Sequence, residues 1–217
     1  PQRRSGAQDP AAAAQRRRLL LMIGAGAVVV GIAIFGFAFL SGGDGDASAA
    51  LEDAGCQLQS FPAVSNTSDH SDVPSLTTKP KTWNSNPPTS GPHWGVPAVW
   101  DFYDSPVPLV QTTHNLEHGG IIIHYGPGVP EGDVQKLREY WNDDPSGLIV
   151  APLPTNGNKI TLSAWTVPDS LVGTEDRGRG WLATCTSFDK GAFDAFVDEH
   201  RFKGPERLDP AGLGPGS

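Results

Sequence analysis

One stretch of the chain is uniformly apolar, whereas hydrophobic and polar positions are mixed everywhere else. Leu19–Leu40 is a run of 22 residues without a charge, and about 20 apolar residues cross the hydrocarbon core of a bilayer as a helix. Three arginines at positions 16–18 precede the run. Because positive charge stays on the cytoplasmic side, the pattern predicts a cytoplasmic tail at 1–18, a transmembrane helix at 19–40 and an extracytoplasmic remainder.

A cleaved signal peptide is the alternative interpretation, since Ala47-Ser48-Ala49 has the small residues of a cleavage site. The apolar run is longer, however, than the roughly 7–15 residues of a signal-peptide core. An uncleaved single-pass anchor in the cell membrane therefore fits the sequence better.

Hydrophobic periodicity predicts the helices and strands in the rest of the chain. Residues rich in β-branched side chains indicate four strands, Ile121–Tyr125, Leu148–Leu153, Lys159–Thr166 and Trp181–Thr186. Helical spacing indicates two helices, Glu131–Asn142 and Phe188–Arg201. Asn156-Gly157 is a hairpin signal between the second and third strands. Since helices and strands do not alternate regularly, we expect an α+β fold, with a small, mainly antiparallel sheet and two helices, preceded by the transmembrane helix.

Composition sets the limits of the predicted domain. Residues 41–50 consist of Gly, Asp, Ser and Ala, which predicts a flexible linker. Residues 210–217, P-A-G-L-G-P-G-S, predict a disordered tail. A single extracytoplasmic domain of ordinary size is left at 51–209.

Charge is unequal on the two sides of the predicted anchor. Residues 1–18 hold five arginines and one aspartate, a net charge of +4, whereas eleven Lys/Arg and twenty-three Asp/Glu after residue 40 give −12. An acidic exterior without a basic cluster excludes nucleic acid as an expected partner.

Cys56 and Cys185 are the only cysteines of the chain, and both are predicted to lie outside the membrane. An even number of cysteines in an oxidising compartment favours one disulfide over two separately buried thiols.

Candidate chemistry is concentrated at 111–125, Q-T-T-H-N-L-E-H-G-G-I-I-I-H-Y. Residues four apart are separated by about 13 Å in a strand but by about 6 Å on a helix. His114 and His118 can therefore share a metal ion only if this segment is helical, with Gly119-Gly120 ending the helix.

A proline-stiffened loop, N-S-N-P-P-T-S-G-P-H-W at 84–94, supplies His93 as the third expected ligand, and His124 is a weaker fourth. Glu117 is expected to line the site or to orient a ligand histidine. Neutral imidazoles suit transition metals, and copper and zinc both fit. The only methionine, Met22, lies in the predicted anchor, so a Met-rich copper(I) site is excluded.

H-N-L-E-H has two other interpretations. The letters fit H-x-x-E-H, the inverted zinc-peptidase motif, but such an enzyme needs a long helix and the two glycines end this one at once. Alternatively, His114 and His118 are structural and form hydrogen bonds with the backbone around a buried turn.

Residues 56–207 are similar to the bacterial family called domain of unknown function 3105. The similarity lies in two long motifs, N-S-N-P-P-T-S-G-P-H-W at 84–94 and H-N-L-E-H-G-G-I-I-I at 114–123, and in two short ones, A-W-T at 164–166 and G-P-E-R at 204–207. The resemblance implies a single-pass, extracytoplasmic protein, without a known reaction, cofactor or partner. It also implies a site at His93, His114, Glu117 and His118. Family members often have a tyrosine alone after the aliphatic run, where this chain has His124-Tyr125.

The expected function is therefore a membrane-anchored domain with a transition-metal site, and no catalytic residue is predicted. The competing class is a non-catalytic interaction module, in which the histidines are structural and the aromatic loop docks a protein of a membrane complex.

The arginine cluster and the apolar run generate a topology prediction. Protease added to intact cells that produce the full-length chain should digest the C-terminal domain, because it lies outside the membrane. Protection of that domain until the cells are lysed would show the opposite orientation.

Overall fold

The computed structural model describes residues 45–64, 70–172 and 178–217. The predicted cytoplasmic tail at 1–18 and transmembrane helix at 19–40 lie outside these residues. Within the described part of the chain, no helix combines the length and the hydrophobicity that crossing a bilayer requires.

A five-stranded mixed sheet lies at the centre, with strand order β1-β5-β4-β2-β3. The strands are β1 (Gln57–Pro62), β2 (Ile121–Tyr125), β3 (Leu148–Pro152), β4 (Ile160–Thr166) and β5 (Arg179–Cys185). β2 and β3 are parallel, and the other neighbouring pairs are antiparallel. The predicted α+β class is confirmed, and β1 is a strand that the sequence pattern did not indicate.

Four α-helices accompany the sheet in the described residues, where two were predicted. They are α1 (Gly45–Asp53), α2 (Leu109–Glu117), α3 (Glu131–Asp143) and α4 (Lys190–His200). The last two correspond to the predicted helices. The Asp189 side chain accepts the Ala192 N–H at 2.9 Å and so caps the start of α4.

The first helix, α1, corrects the prediction of a flexible linker at 41–50 for residues 45–50, the part of it that the structure describes. Ala47 and Leu51 are one turn apart and are 1% and 0% exposed, and α1 packs against α4. Burying a leucine side chain contributes about 1.5–3 kcal/mol. Tertiary packing therefore stabilises a helix that composition alone does not indicate.

The predicted hairpin between β3 and β4 is wrong, because β2 lies between these two strands. Tyr125 of β2 pairs with Pro152 on one side and with Ile160 on the other. The chain crosses the end of β2 through the 3-10 turn Pro154–Asn156. The Asn-Gly signal marks a real turn, but a local turn signal does not specify which strands pair.

The sheet separates two hydrophobic clusters. Ile121 and Ile123 of β2 belong to the cluster that includes side chains of α1, α3 and α4. Ile122 belongs to the cluster on the opposite face, together with Leu116 of α2. This division follows the two-residue period of a strand. The second face carries α2 and the proline-rich loop, and it is where the candidate site lies.

The C-terminal residues correct the prediction of a disordered tail at 210–217. Leu213 is 2% exposed and belongs to the second cluster. The N–H groups of Gly216 and Trp100 donate to the carbonyls of Trp100 and Ser217 at 3.1 and 3.2 Å. One buried leucine and a few backbone hydrogen bonds hold a segment whose composition resembles that of disordered sequence.

The predicted disulfide between Cys56 and Cys185 is confirmed. The antiparallel pair Gln57↔Thr184 places the two cysteines opposite each other where β1 begins and β5 ends. Such a bond is typical of an oxidising, extracytoplasmic compartment.

The 129-residue separation of the two cysteines gives the second prediction. The chain-entropy model attributes on the order of 4–5 kcal/mol of stability to closing so long a loop. We expect a variant with Cys56→Ser and Cys185→Ser to lose stability of this order in chemical unfolding, and the reduced wild type to match it. The non-reduced wild type, denatured, should expose no free thiol; two titratable thiols per chain would contradict the bond.

Candidate metal centre

The second helix, α2, sets the spacing of the two central histidines. Thr112 and Thr113 are weak helix formers, but their hydroxyls donate to the Leu109 carbonyl at 3.2 and 2.7 Å. The His118 N–H donates to the His114 carbonyl at 3.2 Å, and the two rings have centroids 4.6 Å apart. The helical spacing predicted for this pair is confirmed.

Close backbone approach fixes the end of α2. Gly119 has a φ of +83°, and its carbonyl accepts the Phe202 N–H at 2.7 Å. A Cβ on Gly204 would lie 2.3 Å from both the Glu117 carbonyl oxygen and the Gly119 nitrogen, so only glycine fits there. The N–H of Glu206 then donates to the Glu117 carbonyl at 3.0 Å. These contacts bring the G-P-E-R motif to the histidines.

Hydrogen bonds inside the proline-rich loop place His93. Trp83 Nε1 donates to the Pro92 carbonyl at 2.8 Å, and the backbone N–H and the hydroxyl of Thr89 donate to Asn84 Oδ1 at 3.3 and 3.1 Å. His93 itself is fully buried. The polar residues of this motif thus hold a loop that carries one histidine into the interior.

Asn115, which lies between His114 and His118 in the sequence, joins α2 to the segment that follows the loop. Its Oδ1 accepts the Ala98 N–H at 2.9 Å and its Nδ2 donates to the Ala98 carbonyl at 2.8 Å. Because both bonds are buried, they fix the loop and the helix relative to each other.

Four side chains converge where the loop meets α2. His70, His93, His114 and Glu117 each present one ligand atom, and these atoms lie within 4.8 Å of one another. His93 Nε2 is 2.9 Å from Glu117 Oε2 and 3.1 Å from His70 Nε2. The rings of His70 and His114 are stacked, with centroids 5.0 Å apart. Three predicted site residues are therefore together, and His70 joins them.

No sequence signal points to His70, which stands in a polar stretch without periodicity. Its φ of +59° is uncommon for a residue other than glycine. Its side chain is 23% exposed, so it forms the side of the group that faces solvent.

Backbone carbonyls fix which ring nitrogens of two histidines carry hydrogen. His93 Nδ1 is 2.8 Å from the Gly91 carbonyl, and His114 Nδ1 is 2.7 Å from the Trp94 carbonyl. A carbonyl oxygen only accepts, so both Nδ1 atoms donate, and in the neutral rings Nε2 carries the lone pair. Metal-binding histidines are commonly oriented in this way.

Burial controls the charges within the group. It lowers the pKa of His114 to about 4, against the opposing effect of the hydrogen bond with the Trp94 carbonyl. Burial alone would raise the pKa of Glu117, but the hydrogen bond with His93 and the nearby histidines outweigh it and lower that pKa. A neutral imidazole beside an ionised carboxylate has the protonation states that metal binding requires.

The predicted ligand His118 lies beside this group rather than within it. Its Nε2 is 3.1 Å from His114 Nε2 and 3.2 Å from Glu206 Oε2. With Glu117 and Glu206 it forms a second group, whose ligand atoms also lie within 4.8 Å of one another. The sequence analysis missed Glu206 as a site residue, although the G-P-E-R motif that contains it was noted.

The predicted weaker ligand, His124, belongs to neither group. It lies within β2 and is 2% exposed, and neither of its ring nitrogens has a hydrogen-bond partner among the described residues. A strand advances about 3.3 Å per residue, so the six residues after His118 carry this ring away from the site.

The geometry does not favour the peptidase interpretation. Glu117, which would act as the general base, lies among the ligand atoms and is hydrogen-bonded to His93. The helix that carries it has nine residues and ends there, so the long helix that the motif requires is missing at this position.

Comparison with known protein families gives a match to most of the chain. The model of the family described as protein of unknown function (DUF3105) matches residues 76–211. This range includes both long motifs and Glu206, and His70 lies just before it. No curated protein and no solved structure matches the chain.

The buried ring of His124 gives the third prediction. Burial lowers its pKa from 6.5 to about 4, so between these pH values the unfolded chain binds a proton that the folded chain does not. Stability is therefore fully present above about pH 6.5 and falls as the pH approaches 4, by roughly 3 kcal/mol for this residue.

A His124→Phe variant should take up about one proton fewer than the wild type on unfolding between pH 7 and pH 4. Its free energy of unfolding, measured by denaturant titration, should therefore fall less steeply as the pH is lowered. Ile122→Val, a packing change on the same strand, serves as the control and should keep the wild-type slope. Equal slopes for wild type and His124→Phe would show that the ring is not neutral and buried in the folded chain.

Proposed function

The chain belongs to the family described as protein of unknown function (DUF3105), and we propose that it binds a transition-metal ion through His70, His93, His114 and Glu117. The domain that carries the site is held outside the cell membrane by a single-pass anchor. No reaction is part of this proposal.

One observation carries the proposal, the convergence of nitrogen and oxygen ligand atoms in a buried position. Three imidazole nitrogens and a carboxylate oxygen lie within 4.8 Å of one another, and the side chains of His93 and Glu117 are only 0% and 11% exposed. Lone pairs that face one another at such distances repel unless a proton or a cation lies between them. Desolvation makes the interaction with a cation stronger than it would be in water.

The distances suit a small ion. In a tetrahedral zinc site with bonds of about 2.1 Å, neighbouring ligand atoms are about 3.4 Å apart. The separations here start at 2.9 Å for His93 Nε2 and Glu117 Oε2 and reach at most 4.8 Å. The separations therefore lie on both sides of the tetrahedral value.

The ligand set restricts the ion to a class. Histidine nitrogens with one carboxylate suit zinc and copper(II). Neither cysteine is available as a thiolate, because both form the disulfide, and the single methionine stands at position 22. The proposed ion is therefore zinc or copper bound by nitrogen and oxygen alone.

Two independent features support the proposed location. The uncharged run at 19–40 with its preceding arginines favours an anchor with the domain outside. The disulfide favours an oxidising compartment. Neither feature depends on the histidines.

A second candidate function is the interaction module, with the same histidines as a structural cluster. It is favoured by Val96 and Val99, which are 57% and 48% exposed and follow the Trp94 carbonyl that orients His114. Exposed apolar side chains next to a fixed loop can dock a partner protein of a membrane complex.

The test of metal binding is a comparison of variants of the full-length chain in detergent, by elemental analysis and by competition with a chromophoric zinc chelator. His70→Asn is the sharpest variant, because asparagine tolerates the left-handed backbone at this position and the side chain is partly exposed. We expect it to weaken zinc binding by at least about 100-fold, since losing even an outer partner of a ligand costs 10–100-fold.

His124→Phe is the matched control, since it removes a histidine outside the group and should bind zinc as tightly as the wild type. If the wild-type chain binds neither zinc nor copper, the metal site is excluded. The alternative is then an interaction module in which the histidines form a structural cluster. Equal affinity of wild type and His70→Asn would exclude the ligand set named here.

A further inference from the structure

We propose a second cation position next to the first, formed by His118 and Glu206 and sharing Glu117 with the first, so that this carboxylate bridges two ions. The inference rests on the proposed function, because the first ion supplies one side of the bridge. It makes the site a two-metal centre rather than a single-ion site.

The second group is held as firmly as the first although it lies nearer the surface. The backbone N–H of Glu206 donates to the Glu117 carbonyl at 3.0 Å. Arg207, the next residue, donates to the carbonyls of Phe202 and Val167 at 2.9 and 2.6 Å. The carboxylate of Glu206 is 55% exposed, yet its own backbone N–H and the side chain of the next residue are both hydrogen-bonded.

The two groups adjoin through histidines as well as through Glu117. His114 belongs to the first group and His118 to the second, and their Nε2 atoms are 3.1 Å apart. Ions bound by these two nitrogens would be close neighbours, as in two-metal centres, where the ions are about 3.5–4 Å apart. A carboxylate has two oxygens and about four lone-pair directions, so Glu117 can serve both positions.

The charge of the centre depends on how many ions it holds. With neutral imidazoles, the two carboxylates, Glu117 and Glu206, balance one divalent ion. A second divalent ion leaves the centre with an excess of two positive charges. The centre then attracts a small anion on the side where Glu206 meets solvent.

The two positions should differ in affinity. The first is enclosed by His93 and His114, which are 0% and 6% exposed, whereas the second is bounded by the exposed carboxylate of Glu206. Solvent competes more strongly at the second position, so it fills at the higher metal concentration.

The experiment measures stoichiometry on the full-length chain in detergent, with zinc alone as the probe. The wild type should bind two ions in two steps, and Glu206→Gln should bind one, with the first step unchanged and the second weakened by at least about tenfold. Glu139→Gln, at an exposed position on α3, is the matched control and should bind two ions. His118→Asn, a second variant, should behave as Glu206→Gln does.

A spectroscopic arm tests the bridge itself. The wild type loaded with two manganese(II) ions should give the electron paramagnetic resonance spectrum of a coupled pair, and the Glu206→Gln variant the six-line spectrum of an isolated ion. Two ions with uncoupled spectra would overturn the shared carboxylate.

The outcomes separate the two proposals. One zinc ion in the wild type, or two in Glu206→Gln, overturns the second position and leaves the first standing. A wild type that binds no zinc or manganese overturns the second position, and the copper arm of the earlier test then decides the first. A simple ion pair between His118 and Glu206 corresponds to the one-ion result.

Discussion

The site depends on one buried contact, between His93 Nε2 and Glu117 Oε2 at 2.9 Å, which is favourable only with a proton or a cation between the two atoms. His93 comes from the proline-rich loop, and Glu117 is the last residue of α2. A carboxylate or an imidazole buried without a partner costs several kcal/mol, so the loop and the helix cannot separate without leaving both groups unsatisfied. The same helix also places two other residues: the Glu206 N–H donates to the Glu117 carbonyl at 3.0 Å, and His70 stacks on His114.

Local patterns were sufficient for much of the fold and for four of the six residues in the two candidate groups. β-branched content located β2, hydrophobic runs indicated β3, β4 and β5, and the spacing of His114 and His118 correctly required a helix. The proline-rich motif correctly pointed to His93 as a neighbour of that helix. In each case the signal lies within about a dozen residues, over which backbone geometry and side-chain spacing are directly linked.

The remaining features depend on contacts between distant segments, which local patterns do not record. The order of the strands places β2 between β3 and β4, so the turn at Asn156 could not reveal the pairing. His70 and Glu206 reach the site from polar stretches without periodicity, and α1 and the C-terminal residues are ordered by burying Leu51 and Leu213. Short segments of small residues bury too little surface on their own to indicate structure.

The close contact of Gly204 with the end of α2 also has a consequence for the order of assembly. Contacts between segments far apart in the chain form late, because closing long loops costs conformational entropy. In a chain exported with the proposed topology, the proline-rich loop and α2 leave the membrane before the segment of Gly204 and Glu206. The histidines can therefore meet before the rest of the domain has left the membrane, whereas Glu206 reaches them last. The proposed second cation position is therefore complete only after the segment of Glu206 has folded onto α2.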